Sequence, residues 1–198
     1  SANIPAGWSY VLPTEAEWEY ACRAETTTAY SWGNTIATSN ANYRSSGLSQ
    51  TRDVGYYAAS PWGFFDMHGN VSEWTADWFQ TAYPAGNLVV DPTGPASGSQ
   101  RVGRGGSWFF LETSLRSAMR NPLEPNLSYD DLGFRVGVKA VPDTTPPVIT
   151  LLGDANVTHA KDTAWVDPGV SASDTLDGNL TNQVTITGTV DVNSSGTY

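Results

Sequence analysis

WGFFDMHGNVSEWTADW, residues 62–78, brings carboxylates, glycines, tryptophans and a histidine together in one short run. Asp66, Gly69, Val71 and Glu73 follow one another at short, irregular spacing. That pattern suits a loop wrapping a hard cation with carboxylate and main-chain oxygens. Trp74 and Trp78 stand four apart, a spacing that places them on one helical face. The run is either a catalytic centre or a structural staple, and the flanking sequence bears on which.

The chain has 198 residues, 39% apolar and 12% aromatic, enough for one full domain and part of a second. Only 15% of residues are charged, with 19 glycines and 12 prolines, so turns and loops should outweigh helix. The net charge of −10 speaks against a nucleic-acid partner, which needs clustered Lys and Arg. The charge is uneven: residues 1–140 hold 9 basic and 13 acidic side chains, and 141–198 hold 1 and 7. This shift marks a domain boundary. Cys22 is the only cysteine, which rules out an intrachain disulfide and two-thiol chemistry within these residues. No apolar run approaches the roughly 18–20 residues of a membrane span, and the ends read as cuts in a longer protein.

A helix is expected over 14–24, opened by Thr14 and Glu17 as a capping box after Pro13. Trp18, Ala21 and Cys22 would face the core, and Glu15 and Glu19 water. From 30 to 61 the composition predicts long ordered loops, anchored by Trp32, Tyr43, Tyr56, Tyr57 and Trp62. Gly105 and Gly106 imply positive φ or close backbone approach. Residues 115–120 and 133–138 read as short strands, and Arg104, Arg116 and Arg135 as braces for carboxylates. His68 reads as a packing or hydrogen-bonding residue. Residues 141–147 (VPDTTPP) form a linker. Beyond it, 148–152 is a strand, and Val184, Ile186, Val190 and Val192 alternate as in a half-buried strand ahead of a turn at 193–196.

Five ordered motifs carry a resemblance: LPTEAEWEYACRA (12–24), the run at 62–78, RVGRGGSW (101–108), LRSAMR (115–120) and LGFR (132–135). Residues 1–140 thereby resemble the formylglycine-generating enzyme, or sulfatase-modifying factor, family. The resemblance implies an α+β, C-type-lectin-like fold with little regular structure, here without its N-terminal part. Residues 148–198 resemble the Ig-like repeats of bacterial surface proteins, implying an incomplete all-β sandwich; Asp174 and Asp177 there could bind calcium, and turn chemistry explains the D-G pair equally well.

Active members of the family oxidise a sulfatase cysteine in a C-x-P-x-R segment to formylglycine, using oxygen and copper held by a thiol pair. The resemblance places one thiol of that pair at Ser117 and the other within 109–114, which has no cysteine. It places a pocket tryptophan at Ser72, and the usual partner of Cys22 at Val136. No catalytic residue is therefore expected here, and no copper. The family's calcium ligands map onto Asp66, Gly69, Val71 and Glu73, with a weaker second set at Asn42 and Tyr43. The expected function is a calcium-stabilised, non-catalytic binding or scaffold module of a secreted, surface or periplasmic protein, with a protein or glycan ligand. The alternatives are the family's own oxidase, or another oxidation chemistry completed by residues outside this chain, as in related sulfoxide-synthase domains. Retroelement-diversified ligand-binding proteins also share the stretch from RGGSW to GFR.

Overall fold

The computed structural model describes residues 4–83, 89–188 and 191–193. The chain divides into two compact units, one of Tyr10–Lys139 and one of Ser1–Ser9 with Ala140–Tyr198. The architecture is mixed α and β, with a single α-helix among the described residues. In chain order, β1 is Trp8–Val11, α1 Glu15–Arg23, β2 Ser72–Trp78, β3 Arg101–Arg104, β4 Asn121–Leu123, β5 Leu132–Phe134 and β6 Gly137–Ala140. The second unit adds β7 Val148–Leu151, β8 Val170–Asp174 and β9 Gly178–Asn179.

Helix α1 begins where its capping box predicts. Thr14 accepts the Glu17 N–H at 3.2 Å and Glu17 accepts the Thr14 N–H at 2.8 Å, satisfying two otherwise orphaned donors. The helix ends on Ala24 in the left-handed region. Trp18 and Cys22 are buried as expected. Glu15 is not in water: only 4% of it is exposed, because Arg120 clamps both carboxylate oxygens at 2.5 and 2.7 Å. Glu19 is half-buried between Arg23 and Arg104.

The run at 62–78 ends in a strand, not a helix. β2 is central in a four-stranded sheet of order β4-β3-β2-β5, antiparallel to β3 and parallel to β5. β3 pairs antiparallel with β4. Trp74 and Trp78 fall on one face by strand alternation, and the ladder shifts register between them. Residues 115–120 are not a strand: a 3-10 turn over Glu112–Leu115 precedes them and the strand begins at Asn121.

Two buried clusters support the sheet and the long loops. One is Tyr30, Ala41, Tyr43 and Leu115, and the other Trp18, Cys22 and Met67. Tyr43 and Tyr57 do anchor the loops, whereas Trp32, Tyr56 and Trp62 stay exposed. Trp62 packs edge-on to Tyr20 at the surface. Gly106 has φ +68, and a Cβ there would lie 2.8 Å from the Ser114 carbonyl oxygen, so the turn after β3 requires glycine.

In the second unit, β7-β8-β9 form an antiparallel sheet. Residues 184–188 are irregular after a 3-10 turn over Thr181–Gln183, so the alternation there does not make a strand. Residues 189–190 and 194–196 of the expected strand and turn lie outside the described residues.

Candidate functional site

The loop from 66 to 73 is tightly coiled: Asp66, Gly69 and Asn70 have φ of 55, 88 and 66°. A Cβ at Gly69 would meet the Asn42 carbonyl oxygen at 2.3 Å, so glycine is required where the two loops touch. Inward-facing groups are bonded. Asn70 N–H donates to the Asn42 carbonyl, and the Asn70 carbonyl accepts from Trp108 N–H. Asp66 Oδ2 accepts the Gly55 N–H at 2.7 Å, and its other oxygen takes no hydrogen bond among the described residues.

Glu73 is buried and held by protein. Arg135 donates to both its carboxylate oxygens at 2.6 Å, and Trp18 Nε1 donates to Oε2, also at 2.6 Å. Arg135 reaches on to the Phe65 carbonyl, tying both ends of the loop together. Tested against a calcium ion, the set fits in part. The Asp66 carboxylate remains a suitable hard donor, but Glu73 reaches an ion only while sharing its charge with Arg135. Arg135 was legible as a carboxylate brace, although its partner was not.

Asn42 and Tyr43 are differently placed. Ser46 Oγ donates to Asn42 Oδ1 at 2.8 Å and lies 2.6 Å from the Tyr43 carbonyl, which also accepts the Ser46 N–H. Asn42 Nδ2 bonds the Gln50 carbonyl and Asn70 Oδ1, which in turn accepts the Arg52 N–H. These hydrogen bonds close the gap that an ion would bridge, so this pair does not fit a second cation.

Ser117 is fully buried, its N–H and hydroxyl directed to the Ala29 carbonyl. It also lies against Cys22, so Ser117 rather than Val136 faces that thiol; Val136 is exposed. Cys22 sits 3.5 Å from His68 Nε2 and 3.8 Å from the Met67 carbonyl. Burial pushes the thiol up to about 12, with the Ser117 hydroxyl opposing weakly. His68 Nδ1 lies 2.7 Å from the Leu115 carbonyl, which can only accept, so that nitrogen carries the hydrogen. Nε2 then accepts the Ser31 N–H at 3.1 Å. Burial lowers the imidazole to about 4. The pair is a neutral thiol beside a neutral imidazole, the opposite of an activated nucleophile. One buried thiol with no second thiol beside it does not fit copper, which soft thiolate pairs select. Ser72 is buried, and its Oγ meets no hydrogen-bond partner among the described residues.

His68 gives a pH signature. In the unfolded chain it titrates near 6.5 and in the fold near 4, so the unfolded state binds more protons between those values. The stabilisation is complete above pH 6.5 and is lost as pH falls towards 4, amounting to about 3 kcal/mol. Urea midpoints should fall over that window, and His68→Gln should flatten the dependence. An unchanged slope in the variant would contradict the neutral, bonded imidazole.

One feature was not legible, and a second was legible only through Asp174 and Asp177. A cleft of about 590 Å³ is lined by Glu15, Asp77, Gln80, Tyr83, Arg120 and the segment 89–95. Asp77 accepts the Glu15 N–H there, and burial raises its carboxyl above the usual range. In the second unit, Asp143 joins Asp174 and Asp177, with ligand oxygens within 4.8 Å of one another. Asp174 Oδ1 accepts the N–H groups of Leu176 and Asp177, and Asp143 Oδ1 accepts that of Thr145, which is turn chemistry. Of the three arginine braces, Arg104 and Arg135 hold carboxylates, whereas Arg116 bonds the Thr113 carbonyl.

Residues 2–140 match the sulfatase-modifying factor enzyme 1-like domain family, and the chain belongs to it. Residues 149–198 match a bacterial surface protein Ig-like domain. Among curated relatives, the Formylglycine-generating enzyme of Bos taurus is 32% identical, the match covering 67% of this chain and 40% of that protein. Serine/threonine-protein kinase pkn1 of Chlamydia caviae is 43% identical over 65% of this chain and 21% of that protein. Among solved structures, Treponema denticola variable protein 1 aligns with TM-score 0.62 and 38% identity, covering 66% of this chain and 48% of that one. PvdO from Pseudomonas aeruginosa gives 0.59 and 29%, covering 67% and 53%. The chain thus spans between about a fifth and a half of these relatives.

Proposed function

We propose that the chain is a calcium-stabilised, non-catalytic binding or scaffold module of a bacterial secreted or surface protein. One observation carries the non-catalytic reading: Ser117 is a buried hydroxyl, and the one thiol, Cys22, is held protonated beside a neutral histidine. The family's oxidation needs two thiols that ionise onto a soft metal. The match of 149–198 to a bacterial surface Ig-like domain supports an extracytoplasmic setting. No helix among the described residues is long and apolar enough to cross a membrane. The cleft beside Arg120 gives a concave surface for a ligand-binding role. A protein or glycan is the ligand class.

Calcium would be held by the Asp66 carboxylate, the Gly69 and Val71 carbonyls, and Glu73 in company with Arg135. Its contribution would be to lock the coil of 66–73 against the loop of 42. A ligand that binds only the folded state raises stability by mass action. Melting curves in calcium should lie several degrees above those in EDTA, and Cu(I) should cause no such rise. Superimposable calcium and EDTA curves would remove the ion from the description, and a specific copper-induced rise would contradict the loss of the metal centre.

A further inference from the structure

Five Asn-x-Ser/Thr triplets occur in the chain, at Asn70, Asn126, Asn156, Asn179 and Asn193. Such triplets are acceptors for N-linked glycans where they lie on an accessible surface of an exported protein. In the second unit an aspartate stands two residues ahead of every one: Asp154-Ala-Asn156-Val-Thr158, Asp177-Gly-Asn179-Leu-Thr181 and Asp191-Val-Asn193-Ser-Ser195.

The structure separates these positions. Asn70 is 6% exposed, and both ends of its amide bond Arg52. Asn126 follows Pro125, which fixes the backbone ahead of it. Asn179 lies in β9 with Oδ1 accepting the Thr181 N–H, and Thr181 Oγ1 is bonded to the Ala172 main chain. Asn193 closes the described residues, its N–H on Asp191 Oδ1. Turn chemistry explains the Asn179 amide and the Asp191 carboxylate.

It does not explain 154–158. These five residues are all exposed in the irregular segment between β7 and β8. Among the described residues, the side chains of Asp154, Asn156 and Thr158 make no hydrogen bond, and no strand partner holds their backbone in a ladder. A transferase has to draw its acceptor peptide away from the protein surface, and this segment gives up no internal bond in doing so.

We propose that Asn156 is an acceptor for N-linked glycosylation, with Thr158 as the hydroxyl the transferase reads and Asp154 as a charged recognition element. The donor class is an oligosaccharide carried on an isoprenoid diphosphate. Asn156 Nδ2 forms a bond to the anomeric carbon as the bond from that carbon to the diphosphate oxygen breaks. The electron pair leaves on the lipid diphosphate, and one amide proton passes to a base of the transferase. The inference rests on the extracytoplasmic location proposed above.

The test exports the full chain, through an added leader, into the periplasm of bacteria carrying an N-oligosaccharyltransferase, its lipid-linked glycan and a reference acceptor protein. Peptide mapping by mass spectrometry then reads each site. The glycan mass is expected on the peptide containing Asn156, lost in Asn156→Gln and Thr158→Val, and reduced severalfold in Asp154→Asn. A bare Asn156 beside a modified reference acceptor overturns the proposal, as does modification of Asn126 or Asn179 in its place. Full occupancy in Asp154→Asn overturns the role given to Asp154. Because export is imposed, a bare Asn156 speaks against the acceptor and not against the surface location.

Discussion

Arg104→Ala should destabilise the family domain by about 3–5 kcal/mol, a large share of the total stability of an ordinary domain. Arg104 is fully buried. Its Nη2 donates to Glu19 at 2.5 Å and to the Ser117 carbonyl at 2.6 Å, and Nη1 donates to the Met119 carbonyl at 2.7 Å. The guanidinium also lies 5.2 Å over the Trp18 ring. Truncation leaves the buried Ser117 carbonyl and the part-buried Met119 carbonyl without this donor, and a cavity between α1 and β3, two separate penalties. Arg104→Met refills the volume without the donors, so it should recover part of the loss. Equilibrium denaturation of both variants checks this, and a loss below about 1 kcal/mol for Arg104→Ala would show that the network is not a principal tie.

Glu73→Ala should cost about 3 kcal/mol, because it strips a charged acceptor from Trp18 Nε1 inside the core and from the half-buried Arg135. Two readouts distinguish its roles. If Glu73 also serves calcium, the variant loses the gap between melting curves in calcium and in EDTA along with its stability. If it serves only Arg135 and Trp18, stability falls while the gap persists. Asp66→Asn makes the complementary variant, since the Asp66 carboxylate bonds only one N–H and its loss should shrink the gap with little other cost. A gap that survives both variants would place any bound calcium elsewhere.

These two residues also show what the sequence could and could not reveal. Helix α1 was legible because its signals are local: a capping box, a period of three to four, and Trp18 and Cys22 on one face. β2 was not, because SEWTADW carries Glu73 and Asp77 on positions that turn inward. Pattern reading sends carboxylates to water. Here Arg135 neutralises one from 62 residues away, and the other caps the start of α1 through the Glu15 N–H. Glu15 was misplaced for the same reason, its partner Arg120 lying 105 residues on. Buried charges are set by pairings across the fold, and no local window contains both members.

The candidate site divides along the same line. The coil of 66–73 and the left-handed backbone at Asp66 and Gly69 follow from residue types that tolerate such conformations. Cys22 was legible as a buried thiol, but not its neighbour, since Ser117 reaches it only through the turn that follows Gly106. The Ser46 hydroxyl that lies between the Asn42 Oδ1 and the Tyr43 carbonyl is likewise a matter of loop geometry.

Turnover tests the central claim most directly. The full-length protein containing this chain, loaded with Cu(I) and supplied with oxygen, is incubated with a C-x-P-x-R peptide, and the peptide mass is followed beside an active formylglycine-generating enzyme. The expected result is an unchanged peptide with this protein and conversion to the aldehyde by the control. Catalytic formation of formylglycine by this protein, many equivalents per chain, would contradict a module without oxidase chemistry.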